Sequence, residues 1–230
     1  MNLKVLHKSA RDNPAVFIAL LLCLGGVFAF SSLASEVLEG ESRTLDTSIL
    51  MLFRDAVDQN NPLGPPWLQE MMRDLTALGG IIVLSIITFG AALYMVAIKK
   101  HGQALYIIAS IGSGVLLSNV LKIGFDRPRP NLVPHESITY MASFPSGHSL
   151  MAAVVYLTLG TLLAEAHPVQ RVRIYILGFM IFITLLVGMS RLYLGVHWPT
   201  DVLAGWLAGG VWALMAWLIH QRIKSKFSAP

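Results

Sequence analysis

Six apolar runs dominate the chain, at roughly Pro14–Ala34, Leu75–Ile98, Ala104–Ile123, Ser149–Ala164, Ile174–Ser190 and Val202–His220. Each is close to the length of a membrane-spanning helix, for which about 20 mostly apolar residues suffice. Backbone polar groups in a bilayer must be satisfied within their own segment, so runs of this kind predict helices. Residues 35–74, between the first two runs, form the longest extramembrane stretch. Within it "LDTSILMLFRDAV" sets Leu45, Ile49, Leu52, Phe53 and Val57 at near-helical spacing, which predicts a helix lying along the membrane surface. "NNPLGPPW" then interrupts it. This helix reads either as an amphipathic connector or as a cap that guides a lipid headgroup. No internal repeat or low-complexity tract breaks the pattern. The expected architecture is all-α: a single membrane-embedded domain over residues 1–230, built as a bundle of six helices with no room for a soluble domain.

Composition agrees with the pattern. The chain is 55% hydrophobic and only 13% charged, against about 25% charged in ordinary globular domains. The clusters Lys4/Lys8/Arg11, Lys99/Lys100, Arg171/Arg173 and Arg222/Lys224/Lys226 fall on alternate loops and hold ten of the seventeen Lys and Arg residues. Residues 35–74 hold eight of the thirteen acids against three arginines. The positive-inside rule then predicts a plasma-membrane protein with both termini cytoplasmic, and with residues 35–74, 124–148 and 191–201 facing outward. The net charge of +4 is therefore topological and gives no argument for a nucleic-acid partner. The first run, preceded by three cations and closed by "SSLAS", also reads as a signal peptide cleaved after Ala34, although its apolar stretch is long for one. The single cysteine, Cys23, lies within that run, so no disulfide framework is expected.

Candidate chemistry gathers where four of the runs end on the outward side. The third run ends at Lys122 and is followed by Arg127 and Arg129. The fourth begins at "PSGH", with Ser146, Gly147 and His148. The fifth ends at Ser190 and Arg191, and the sixth begins near His197 and Asp201. Each position alone has an ordinary explanation: Lys122 or Arg191 as a snorkelling anchor, His197 as an interfacial residue beside Trp198, "PSGH" as a plain helix start. Together they form a set, because ionisable groups at membrane depth are expensive.

Lys122, Arg129 and Arg191 suit a phosphate dianion, with arginine offering a planar fork. Ser146 can cap a helix, and Gly147 lets a helix N-terminus approach an anion. His197 and Asp201 are four apart and share a helix face. Asp201 can fix the imidazole tautomer and leave the other nitrogen as a nucleophile, while His148 supplies a proton to the leaving oxygen. One cysteine and no carboxylate cluster give no ligand set for a metal, and no cofactor is expected. His135 and Glu136 read as loop residues.

The same residues fit a tripartite signature. "KIGFDRPRP" matches KxxxxxxRP through Lys122, Arg129 and Pro130; "PSGH" stands intact at Pro145–His148; "SRLYLGVHWPTD" matches SRxxxxxHxxxD through Ser190, Arg191, His197 and Asp201. The chain resembles the type 2 phosphatidic acid phosphatase superfamily of integral-membrane lipid phosphatases. The resemblance implies a metal-independent phosphatase with His197 as nucleophile, Asp201 orienting it and His148 as general acid. Lys122, Arg129, Ser146, Gly147 and Arg191 would bind phosphate, with Arg127 auxiliary. The implied partners are the bilayer and a membrane lipid phosphate: undecaprenyl diphosphate by preference, or phosphatidylglycerol phosphate, phosphatidic acid or a lipid A phosphate. A lipid-to-lipid phosphotransferase would use the same site. An anion transporter would use the cations but would not require the His–Asp pair. The related haloperoxidases are soluble, which the six runs contradict.

Overall fold

The computed structural model describes residues 14–130 and 142–227. Lys4, Lys8, Arg11, His135 and Glu136 lie outside the described residues. Among the described residues eight helices follow in order: α1 (Pro14–Glu39), α2 (Arg43–Met51), α3 (Pro66–Ala77), α4 (Ile81–Ala97), α5 (His101–Gly124), α6 (Gly147–Ala166), α7 (Gln170–Tyr193) and α8 (Pro199–Phe227). Among the described residues there is no strand beyond an isolated bridge between Arg54 and Pro62. Helices α1, α5, α6, α7 and α8 are each long and apolar enough to cross a membrane, and α3 with α4 makes a sixth span bent by 44°.

That bend departs from the expected single helix over Leu75–Ile98. Helix α3 starts well upstream, at Pro66, and stops at Ala77; α4 resumes after Gly79 and Gly80. The break serves packing. A side chain on Gly79 would strike Val187 of α7 and come within 3.2 Å of the His148 Cβ, so only a bare backbone can pass between them.

Helix α6 is the hub, packed against α5, α7 and α8, with Leu150, Val154 and Val155 fully buried. Its contact with α8 is close because α8 carries "GWLAG". A Cβ at Gly209 would collide with the Leu150 carbonyl oxygen, and one at Gly205 would stand 2.7 Å from the Ser146 carbonyl oxygen. Small residues four apart let helix backbones approach in this way where no hydrophobic driving force separates lipid from protein. Trp206, between the two glycines, lies over Gly188 of α7 and donates its indole N–H to the Thr184 carbonyl at 3.0 Å. Helix α1 covers α8 from outside and leaves Leu24 and Phe28 exposed.

The surface helix in residues 35–74 forms, as α2, but it ends at Met51, short of the stretch over which its apolar spacing runs. Leu45, Leu52 and Val57 point outward, while Asp46 and Leu50 are fully buried. A carboxylate is tolerated there because it has a partner, described below. The segment after α2 is strapped to the end of α7: Arg54 donates to the Tyr193 carbonyl, and the Tyr193 hydroxyl donates to the Leu63 carbonyl at 2.8 Å.

Replacing Gly209 by leucine forces α6 and α8 apart. Overpacking of this kind costs about 1–3 kcal/mol, so the Gly209→Leu protein in detergent should unfold several degrees below the wild type. An unchanged thermal midpoint would show that the helix contact is not close.

Candidate active site

Four helix ends meet on one side of the bundle, each for a local reason. Helix α7 ends in a Schellman motif. The Gly195 N–H bonds to the Leu192 carbonyl at 2.9 Å, the Val196 N–H bonds to the Arg191 carbonyl at 3.2 Å, and Gly195 takes φ 69°. Only glycine adopts that left-handed geometry at little cost. The turn reverses the chain within a few residues and brings His197 back over Arg191. Helix α8 then begins with Pro199 at its first position. Asp201, at the third, accepts the Trp198 N–H at 3.0 Å, which is the return half of a capping box. Helix α6 starts at "SGH", where the Ser146 side chain accepts from the Ser149 N–H at 3.5 Å. The two helix starts are tied directly by a 2.9 Å bond from the Ser146 N–H to the Asp201 carbonyl.

His197 lies at the centre and is 2% exposed. Its Nδ1 faces Asp201 Oδ2 at 3.4 Å and Ser143 Oγ at 3.3 Å; its Nε2 faces an Arg129 guanidinium nitrogen at 3.3 Å. That same nitrogen of Arg129 donates to the Val196 carbonyl at 3.0 Å. With a proton on Nδ1 shared between Asp201 and Ser143, the lone pair of Nε2 points to the cations. Burial pushes the imidazole down to about 4, with Arg191 and Arg129 adding to the effect and Asp201 opposing it. His197 is therefore a neutral imidazole at physiological pH, the form that can act as a nucleophile. Burial also lowers Arg129, against the pull of Asp201, yet a guanidinium stays charged at any physiological pH.

The three expected phosphate cations converge. Lys122, in the last turn of α5, lies against the start of α6, where a Cβ on Gly147 would sit 3.1 Å from its Nζ. Arg191 donates to Thr76 Oγ1 of α3 at 3.0 Å. The Nε groups of Arg129 and Arg191 are buried and have no hydrogen-bond partner among the described residues. Buried donors are normally satisfied, and these two, beside Lys122, suit the oxygens of an anion. His148 is half-buried at the start of α6, its ring beside Gly79.

Arg127 is committed elsewhere. One guanidinium nitrogen donates to Asp201 Oδ1 at 2.6 Å and Thr200 Oγ1 at 2.7 Å; the other donates to Asp46 Oδ2 at 2.5 Å and Ser42 Oγ at 3.2 Å. Asp46 in turn accepts the Thr200 backbone N–H at 2.9 Å. The extra cation of the first motif is thus a clamp that positions Asp201 and holds α2 over the start of α8. Asp46, Ser143, Thr76 and Gly79 escape sequence reasoning. Asp46 stood in the open as an acid among apolar positions at helical spacing; the other three carry no local signal.

The model of the PAP2 superfamily matches residues 103–225, just over half of the chain and the part that carries Lys122, Arg129, Ser146, Gly147, His148, Arg191, His197 and Asp201. The chain belongs to the PAP2 superfamily. Its PAP2 relatives include phosphatidylglycerophosphatase B of Bacillus subtilis, 38% identical over 63% of this chain and 71% of the relative. An undecaprenyl-diphosphatase of Sulfolobus acidocaldarius is 46% identical over a shorter stretch, 29% of this chain and 28% of the relative. In three dimensions the chain is similar to the crystal structure of the transmembrane PAP2-type phosphatidylglycerolphosphate phosphatase from Bacillus subtilis. That likeness has a TM-score of 0.72 at 27% identity, covering 89% of this chain and 96% of that one.

Two measurements test the site. Removing the Asp46 carboxylate by Asp46→Ala leaves Arg127 half-compensated and the Thr200 N–H unpaired. Loss of one partner of a buried ion pair costs about 3 kcal/mol or more, so the unfolding midpoint should fall clearly; a midpoint equal to wild type would remove Asp46 from the clamp. The second concerns pH. Because the folded His197 sits below its ordinary value of 6.5, the unfolded chain takes up its proton first. This contribution to stability is lost as pH falls from 6.5 through about 4. Nitrogen NMR of labelled histidine should find His197 still neutral at about pH 5.5; a midpoint near 6.5 would refute its burial among cations.

Proposed function

We propose that this PAP2 protein is a phosphatase that removes the terminal phosphate of a membrane lipid through a phosphohistidine on His197. The observation that carries this reading is the buried neutral imidazole, with Nδ1 toward Asp201 and Nε2 3.3 Å from Arg129. The phosphate would enter between Lys122, Arg129 and Arg191 and take up their unpaired donors, with the α6 N-terminus at Gly147 adding backbone N–H groups. Nε2 attacks phosphorus as the bond to the lipid oxygen breaks, and His148 gives its proton to that leaving oxygen. A water then attacks phosphorus, His148 takes the water's proton, and the N–P bond breaks to release phosphate. Asp201 stabilises the imidazole as positive charge develops on it. The water's proton restores the one His148 gave up, and breaking of the N–P bond restores the imidazole of His197.

An apolar cleft supports a lipid as the substrate. A cavity of about 370 Å³ runs between α4, α5 and α6, walled by Ile81, Leu84, Phe89 and Ile111, and ends at Lys122 and His148. Ile81 and Phe89 are themselves exposed on the lipid-facing side. A tail can lie in the cleft while its headgroup reaches the cage. The alternation of basic and acidic segments along the chain supports a cage on the extracytoplasmic face of the plasma membrane, and there undecaprenyl diphosphate would be its substrate of choice. The similarity to phosphatidylglycerophosphatase B favours phosphatidylglycerol phosphate as the second reading.

The test is a panel of purified lipid phosphates with the wild-type and His197→Ala proteins, with and without chelator. Phosphate release should fall roughly a thousandfold or more in the variant and should be unaffected by chelator. Persistent hydrolysis in the variant would refute the assigned nucleophile. Label appearing on a second lipid instead of in free phosphate would replace hydrolysis by transfer.

A further inference from the structure

The end of the bundle opposite the cage carries a second basic pocket that the proposed chemistry does not use. Helix α5 carries His101 at its start and Lys122 in its last turn, about 30 Å apart at 1.5 Å per residue, so the two sites lie on opposite sides of the span. The pocket lies between α5 and α8 and encloses about 760 Å³, within the range of sites for small ligands, roughly 300–1,000 Å³. Leu105, Ala109, Met215 and Ile219 form its wall, and Lys99, Lys100 and His101 its rim. Leu105, Met215 and Ile219 are all exposed, so the wall opens sideways toward lipid tails.

The rim is built by an unusual turn. Helix α4 ends in a Schellman motif, with the Lys99 N–H bonded to the Val96 carbonyl at 2.9 Å and the Lys100 N–H to the Met95 carbonyl at 2.8 Å. The position that glycine normally fills in such a motif is Lys99, held at φ 61°. A non-glycine residue in the left-handed region is held against its own preference, and such residues gather at ligand sites. Here the conformation sets two adjacent ammonium groups and His101 at the mouth of an apolar groove. No acid lines the pocket. The nearby Glu165 is already engaged, accepting from Trp217 Nε1 at 2.7 Å and standing 3.6 Å from Lys224.

We propose that this pocket binds an anionic phospholipid of the adjoining leaflet, with its headgroup phosphate on Lys99, Lys100 and His101 and one acyl chain in the groove between α5 and α8. Basic pockets between transmembrane helices recognise anionic headgroups in this way. The proposal is independent of the reaction at the opposite face.

Native mass spectrometry of the full-length protein, with phosphatidylglycerol or phosphatidylcholine of the same chains added in detergent, tests it. The wild type should retain one phosphatidylglycerol at least tenfold more tightly than phosphatidylcholine. The double variant Lys99→Gln/Lys100→Gln should lose that preference, and so should Ala109→Trp, which fills the groove without changing charge. Lys226→Gln, outside the pocket, and Arg129→Gln, in the cage, should leave it intact. Equal retention of the two lipids overturns the proposal. So does an undiminished preference in both pocket variants. Loss in Arg129→Gln would locate the lipid in the cage, and loss in Lys226→Gln would reduce the effect to general surface charge; either result also overturns it.

Discussion

Two buried carboxylates share one guanidinium, and the site rests on that arrangement. Asp46 and Asp201 are both fully buried, 155 positions apart in a chain of 230 residues, and Arg127 bridges them. An isolated ion at such depth costs several kcal/mol, so none of the three is tolerable alone. The pairing does more than cancel charge. It fixes Asp201 from one side while Ser143 and the Trp198 N–H hold it from the other. The oxygen facing His197 therefore has little freedom, and neither has the imidazole it orients.

The opposite sign is left uncompensated by design of the fold. Among the described residues, Lys122, Arg129 and Arg191 form no ion pair with a carboxylate, and the Nε groups of the two arginines lack hydrogen-bond partners. Like charges this close repel one another, and the close backbone contacts of α6 with α8 fix the helix ends that carry or adjoin them. Regions of high local stability next to strained, charge-bearing sites are a familiar division between scaffold and function. Here the scaffold is mostly main chain and the function mostly side chain.

Much of this was legible from residue order. The apolar runs give the number of spans, and the four polar helix ends, Lys122, Ser146–His148, Arg191 and His197–Asp201, do converge. What escaped falls into two kinds. The break at Gly79 and Gly80 is invisible to hydropathy, because both sides of the bend are apolar and only the approach of Val187 and His148 explains it. Asp46, Ser143 and Thr76 act through long-range pairings that no local pattern encodes. The surface helix is legible from its apolar spacing, but the burial of Asp46 on its inner side is not, since that follows an ion pair with Arg127. Arg127 was recognisable as an extra cation, but its role depends on a carboxylate more than 80 positions away.

The glycine contact between α6 and α8 has a bearing on how such a protein can vary. The two histidines stand on neighbouring helix starts whose separation is set by peptide atoms: a Ser146 carbonyl against Gly205, a Leu150 carbonyl against Gly209, and a hydrogen bond from the Ser146 N–H to the Asp201 carbonyl. A spacing measured in main-chain atoms does not shift when side chains elsewhere are exchanged. The lipid-facing surfaces of α1, α4 and α5 are thereby free to drift, and the apolar cleft between α4, α5 and α6 with them, while the distance between His197 and His148 stays the same. Diversity of membrane surroundings and constancy of chemistry can then coexist in one short chain.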